Sequence, residues 1–295
     1  MGSIDTVTLS NKETIAYRKR SGGERVLILV HGNYSSSVHM DLFMEYLPDD
    51  YTIYAPDLRG FGDSSYQKGI DSLHDFAGDL ADFMDKTGIE SADFIGWSLG
   101  GGVVLSLAAR HPEKVGKSII IGSVGINGYP LYQFDENGNM TNRRITTKGE
   151  IEQDPLIAKP ALAIYESGNK EGIKQLFKNT IFTKTMPSDE RFDKYATATL
   201  KQRNLIDADY ALTTFNMGHD HNGATKGDGS IDNVKGPVLV IQGKEDQIVS
   251  NAQYESIKNG LKDRGIYKEF HDSGHAPMFD EPATFWSAVI SVLTG

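Results

Sequence analysis

The sequence predicts an α/β fold: a mostly parallel central sheet flanked by helices, interrupted by a helical insertion. Three observations carry that expectation. Short apolar runs alternate with amphipathic stretches from residue 25 to residue 121, the rhythm of βαβ units. The rhythm stops between residues 125 and 233, where helical patterns and polar loops replace it. It resumes at residue 238 and continues to the end. The expected organisation is a core domain of residues 1–125 and 234–295, with a cap of residues 126–233 inserted into it.

Each element has a local reason. Residues 6–9 and 14–20, split by Asn11-Lys12, form an opening hairpin. Residues 25–30 are a continuous apolar strand of the kind buried on both faces. Residues 38–47 are helical and Pro48 stops them; residues 51–55 are the next strand. Leu73, Phe76, Ala77, Leu80, Phe83 and Met84 fall on one helix face. Ser72 and Asp75 form a capping box before it and Gly88 closes it. Residues 92–95 are a strand, 99–110 a helix and 117–121 a strand. Within the insertion, helices are expected at 155–165, 172–181, 188–203 and 208–215. Turn-forming residues cluster at 135–139 and 222–230. Strands at 238–241 and 266–270 and helices at 252–261 and 284–293 complete the core.

Composition excludes several classes. The 30 Lys and Arg against 40 Asp and Glu leave a net charge of −10, which repels a phosphate backbone, so no nucleic-acid partner is expected. With no cysteine, the chain can form no disulfide, thiolate metal site or cysteine nucleophile. Charged residues interrupt positions 1–24, so no signal-peptide apolar region fits there. No run approaches the ~18 apolar residues of a membrane span. A cytoplasmic protein without membrane insertion is the expectation. Met1-Gly2-Ser3-Ile4-Asp5-Thr6 matches the loose myristoylation pattern and is read as a chance match. Nothing in the sequence specifies an oligomeric state.

Gly96-Trp97-Ser98-Leu99-Gly100 is a G-x-S-x-G pattern between a predicted strand and a predicted helix. That context is a nucleophile elbow, with Ser98 on a sharp turn at a helix N-terminus. A Cβ at position 96 or 100 would clash where strand and helix cross. A serine hydroxyl needs a positioned base. His275, in Ser273-Gly274-His275-Ala276-Pro277, is the candidate, and His271 its rival. The base needs an acid to orient it. Asp246, in Gly243-Lys244-Glu245-Asp246, follows a strand to the same sheet edge, with Glu245 as the alternative. The loop after residues 117–121 reads Gly122-Ser123-Val124-Gly125 and holds no acid. The order Ser98, Asp246, His275 is the one that accompanies an elbow. Backbone N–H groups of Leu99 and Asn33 are the expected oxyanion donors, with Tyr34 as alternative to Asn33. His31 is read as organising that loop. Trp97, Tyr34 and Tyr129 are candidate substrate-binding residues. His219-Asp220-His221 has metal-like spacing but is read as a polar loop, and no metal is expected. Gly100-Gly101-Gly102 lacks the Lys-Ser/Thr of a phosphate loop.

These motifs, together with His31-Gly32-Asn33 and Asp57-Leu58-Arg59-Gly60-Phe61-Gly62-Asp63-Ser64, resemble the α/β-hydrolase superfamily. The resemblance covers residues 6–125 and 234–295. It implies the α/β-hydrolase fold, a helical cap over the active site, and a structural rather than catalytic role for Arg59 and Asp63. More narrowly, the Gly96 to Gly101 box and the chain length resemble bacterial intracellular short-chain polyhydroxyalkanoate depolymerases and their esterase relatives. The expected function is a serine esterase acting on a small-molecule ester or oligoester through an acyl-enzyme, without a cofactor. A lactonase, a carbon–carbon bond hydrolase, a cofactor-free perhydrolase and a non-catalytic receptor of the same fold are the alternatives.

Overall fold

The computed structural model describes residues 4–135 and 137–295; the first three residues of the myristoylation-like pattern lie outside them. The opening hairpin pairs β1 (Ile4–Thr8) antiparallel with β2 (Thr14–Arg20). The remaining strands of the sheet are β3 (Arg25–Val30), β4 (Tyr51–Pro56), β5 (Ala92–Trp97), β6 (Val115–Ile121), β9 (Val238–Gly243) and β10 (Gly265–Phe270). The eight-stranded sheet has the order β1-β2-β4-β3-β5-β6-β9-β10. From β4 to β10 neighbouring strands are parallel, and β2 joins β4 antiparallel.

Alternation along the central strands divides the core. Ile28, Val30, Phe94, Ile120 and Val240 face one layer, built by α2 (Leu73–Thr87), α3 (Leu99–Arg110) and α9 (Asn251–Leu261). Leu27, Leu29, Ile95, Ile119 and Ile241 face the other, built by α1 (Asp41–Tyr46) and α11 (Pro282–Thr294). Strands buried on both faces read as unbroken apolar runs for this reason. The α2 capping box is present, with Ser72 and Asp75 each accepting from the other's backbone, and Gly88 closes the helix at φ +71°.

The helix expected over 38–47 has a different start. Ser37–Met40 is a 3₁₀ turn capped by Ser36, and α1 follows. The Arg20 guanidinium donates to the carbonyls of Met44, Leu47 and Pro48, satisfying the α1 end.

Between β6 and β9 lie α4 (Lys148–Gln153), α5 (Ala158–Glu166), α6 (Lys170–Thr180), α7 (Asp189–Thr199) and α8 (Leu205–Thr214). They are preceded by a hairpin of β7 (Tyr132–Phe134) and β8 (Met140–Arg144). Neither α4 nor the hairpin is evident in the sequence pattern. Ile173, Phe177, Phe192 and Tyr195 extend the α1–α11 layer, while Ala208 and Ala211 join the α2–α3 layer. A short helix, α10 (Pro277–Asp280), lies between the His275 loop and α11. Among the described residues no helix is long and apolar enough to cross a membrane.

Candidate active site

The turn from β5 into α3 places Ser98 at φ +57°, ψ −120°, a conformation that a residue with a Cβ rarely adopts. Its neighbours enforce it. Ser98 N–H donates to the Ile121 carbonyl at 2.9 Å, and the Ser98 carbonyl accepts from Gly101 and Val124 N–H. A Cβ on Gly96 would lie 2.4 Å from the Gly100 carbonyl oxygen, and one on Gly100 would lie 2.2 Å from that of Val30. Those approaches require hydrogen at both positions.

His275 and Asp246 arrive from the other half of the sheet. Asp246 follows β9, and its Oδ2 meets His275 Nδ1 at 2.7 Å, with the two side chains only 1% and 2% exposed. Asp246 Oδ1 accepts from the N–H groups of Ile248 and Val249 at 2.8 and 2.9 Å. The carboxylate is thereby fixed and keeps one oxygen for the imidazole. A Cβ on Gly122, at φ +47°, would lie 3.1 Å from His275 Nδ1 and 3.2 Å from Asp246 Oδ2. The loop that holds no acid therefore also makes room for the pair. The rivals lie elsewhere: His271 is exposed beside Lys244, and Glu245 is exposed and paired with Lys184.

Ser98 and His275 open into one cavity of about 400 Å³. Among the described residues no hydrogen bond joins Ser98 Oγ to the imidazole. Leu131, Ile157, Ile164, Leu176, Phe177 and Leu212 contribute to a largely apolar lining, and Asn33, Tyr34, Tyr129 and Asp209 add polar groups. Leu156, half exposed, stands in the same wall. Tyr34 and Tyr129 thus reach the cavity, whereas Trp97 does not. Alternation along β5 turns Trp97 into the α1–α11 layer, and its indole Nε1–H donates to the His275 carbonyl at 2.9 Å. Its contact is with the histidine loop, which corrects the expectation of a substrate contact.

The loop after β3 holds Asn33, one of the two expected oxyanion donors, and its alternative Tyr34; the other donor, Leu99, opens α3. His31 Nε2 accepts from Leu58 N–H at 3.0 Å, so the ring proton sits on Nδ1, which donates to the Gly32 carbonyl at 2.8 Å. Burial holds the His31 pKa below its ordinary value, consistent with this neutral tautomer. Tyr34 N–H is occupied, donating to Asn33 Oδ1 and Gln202 Oε1 at 3.0 and 3.1 Å. Among the described residues neither Leu99 N–H nor Asn33 N–H donates a hydrogen bond. Both are available to a ligand in a way that the Tyr34 amide is not.

Elsewhere, Arg59 forms a buried ion pair with Asp79 at 2.7 Å, fixing the segment after β4. His219 pairs with Asp232 and His221 Nδ1 accepts from Gly223 N–H, so the H-x-H segment forms a polar loop.

Asp209 is absent from the sequence-based site. On α8 it takes a place in the Leu205, Ala208, Asp209, Leu212 series, where i, i+3, i+4, i+7 spacing calls for an apolar residue. A lone carboxyl in that stripe was the available signal. Burial pushes its pKa up to about 7, an effect opposed by the Asn33 hydrogen bond.

The sequence model of the α/β-hydrolase fold matches residues 25–282. The chain belongs to the α/β-hydrolase family. Its relatives include a dihydrolipoyllysine-residue acetyltransferase component of the acetoin cleaving system from Cupriavidus necator, 27% identical over 92% of this chain and 64% of that protein. A 2-hydroxymuconate semialdehyde hydrolase from Pseudomonas sp. is 35% identical over 38% of this α/β hydrolase and 40% of the relative. The chain thus spans less than two thirds of the length of either curated relative. Among solved structures, a hydrolase from Pseudomonas aeruginosa superimposes with a TM-score of 0.75 at 19% identity, covering 100% of this chain and 99% of that one.

Proposed function

We propose that this α/β hydrolase is a serine esterase. The observation that carries the reading is His275, held by its buried 2.7 Å bond to Asp246, opening with Ser98 on its strained turn into one largely apolar cavity. Ser98 Oγ attacks the ester carbonyl carbon and passes its proton to His275 Nε2. Asp246 holds the proton on Nδ1 and stabilises the imidazolium. The N–H groups of Leu99 and Asn33 receive the oxyanion, assisted by the positive end of α3. Collapse breaks the bond to the alcohol oxygen, which takes the proton from His275. Water, deprotonated by His275, then attacks the acyl carbon, releases the acid and returns the proton to Ser98.

The helices between β6 and β9 act in this reading as a cap, residues 126–233, forming much of the apolar wall. A small apolar acyl group suits that wall, and short 3-hydroxyalkanoate esters or oligomers are the substrates first to be tried. The partial likeness to a semialdehyde hydrolase supports a second reading, carbon–carbon bond hydrolysis by the same residues.

The test is a panel of p-nitrophenyl esters, lactones, 3-hydroxybutyrate oligomers and vinylogous 1,5-diketones, run beside Ser98→Ala. Ester turnover that falls at least ~10³-fold in the variant, with fluorophosphonate labelling at Ser98, supports the esterase. Turnover of the diketones alone would replace it with the second reading, and labelling at another residue would displace the nucleophile.

A further inference from the structure

The Asn33 side chain is held from outside its own loop. Its Nδ2 donates to Asp209 Oδ1 on α8 at 2.9 Å, and its Oδ1 accepts from Gln202 Nε2, between α7 and α8, at 2.8 Å. Gln202 is itself fixed. Its Nε2 also donates to Asn204 Oδ1 at 3.1 Å, and its Oε1 accepts from the Tyr165 hydroxyl of α5 at 3.1 Å and from Tyr34 N–H. Thr199, at the end of α7, donates to the Tyr34 carbonyl at 2.8 Å. Asn204 Nδ2 donates to the Arg59 carbonyl at 2.7 Å, tying the network to the segment after β4. Tyr34 has φ +54°, a strained conformation that these partners maintain.

We propose that Asp209 and Gln202 are positioning residues for the oxyanion hole: by clamping the Asn33 side chain from the helices between β6 and β9, they aim the Asn33 amide at the reacting carbonyl. This rests on the esterase reading above. A backbone amide on a short loop has no ladder to fix it, and oxyanion stabilisation depends on donors pre-aimed within a few tenths of an ångström. The two side-chain bonds to Asn33 restrict rotation of that residue about its own Cα. Asp209 need not carry charge for this, since either protonation state leaves Oδ1 as an acceptor. A neutral carboxyl is also the better neighbour for developing negative charge, and burial raises its pKa in that direction. Tyr34, Tyr129 and Tyr165 are the titratable groups that feel Asp209, and burial keeps their phenols neutral.

The test compares wild type with Asp209→Leu, Asp209→Asn and Gln202→Leu. The readouts are kcat and KM on p-nitrophenyl butyrate and inhibition by an aliphatic trifluoromethyl ketone. The ketone adds to Ser98 and places an oxyanion in the hole. In the two leucine variants kcat is expected to fall about 10- to 100-fold with little change in KM, and the ketone to weaken in parallel. Asp209→Asn, whose amide oxygen still accepts from Asn33, is expected to restore most of kcat and of ketone affinity. Unchanged ketone inhibition in both leucine variants overturns the proposal, as does a loss confined to KM. An asparagine variant as impaired as the leucine one also overturns it, because charge and not the clamp would then matter. If Asp209→Leu does not fold, Gln202→Leu and Asp209→Asn decide the question. A wild type with neither ester turnover nor phosphonate labelling at Ser98 overturns the esterase reading instead, and this proposal with it.

Discussion

Asp209 shows how one buried carboxyl can make stability depend on pH. Its pKa rises from 3.8 to about 7 because burial penalises the charged form. Below about pH 4 both the unfolded and folded chains hold the proton, and Asp209 imposes no penalty. As pH rises towards 7 the unfolded chain releases its proton while the folded chain keeps it, so stability falls across that window. The loss approaches ~4 kcal/mol once the folded carboxyl also ionises. Asp209→Asn has no such proton. Urea unfolding of the two proteins should therefore give a stability difference that grows in favour of the variant from pH 4 to pH 7 and is level above pH 8. A difference independent of pH would show that the native carboxyl is already ionised throughout.

The elements that position the site are those with the strongest local signals. The α2 span follows from periodicity and a capping box, and the strand before Ser98 and the α3 span from a short, mostly apolar run leading through the G-x-S-x-G turn into a second apolar stretch. The Asp246 and His275 loops follow from strand ends meeting at one edge of a parallel sheet. Elsewhere the signal is weak for physical reasons. Helix α4 carries a Thr147–Glu150 capping box but buries only Ile151, too little to form a stripe. The β7 and β8 strands have no clean inside–outside alternation, because none of their residues is fully buried. The clamp on Asn33 joins positions 169 and 176 residues apart, so only tertiary packing brings it together. Trp97 shows that a neighbour of Ser98 can face away from the cavity. Trp97→Phe keeps the packing but leaves the His275 carbonyl without its indole donor, at a cost of about 1–3 kcal/mol. Thermal unfolding should show that loss. Fluorophosphonate labelling of Ser98 should slow with it, as the loop carrying His275, the proposed base, loosens. Unchanged labelling would mean that the loop is held by its other contacts, including the Gly274 N–H to Asp280 bond.

At the scale of the molecule, the cavity is a joint product of the sheet and the helices inserted between β6 and β9. The sheet supplies Ser98, His275 and Asn33; α5, α6 and α8 supply Ile164, Leu176 and Leu212. Several ion pairs join the two parts, Arg191 with Asp41 and Glu45 and Lys148 with Asp71 among them. Chemistry and selectivity should therefore be separable. Leu176→Trp adds bulk to the wall without touching the Asp246–His275 pair. It should lower the ratio of octanoate to acetate ester turnover at least ~10-fold while acetate turnover changes little. An unaltered chain-length profile would place the acyl group elsewhere. The bend at Ser98 has a wider consequence. Glycine would occupy φ +57° without strain, whereas the serine retains on the order of 1–3 kcal/mol of it. A variant with that one hydroxymethyl group removed, Ser98→Gly, should therefore resist heat better than the native chain. Breeding this molecule for endurance alone would favour erasing the proposed nucleophile, and any such campaign must assay ester turnover as well as survival.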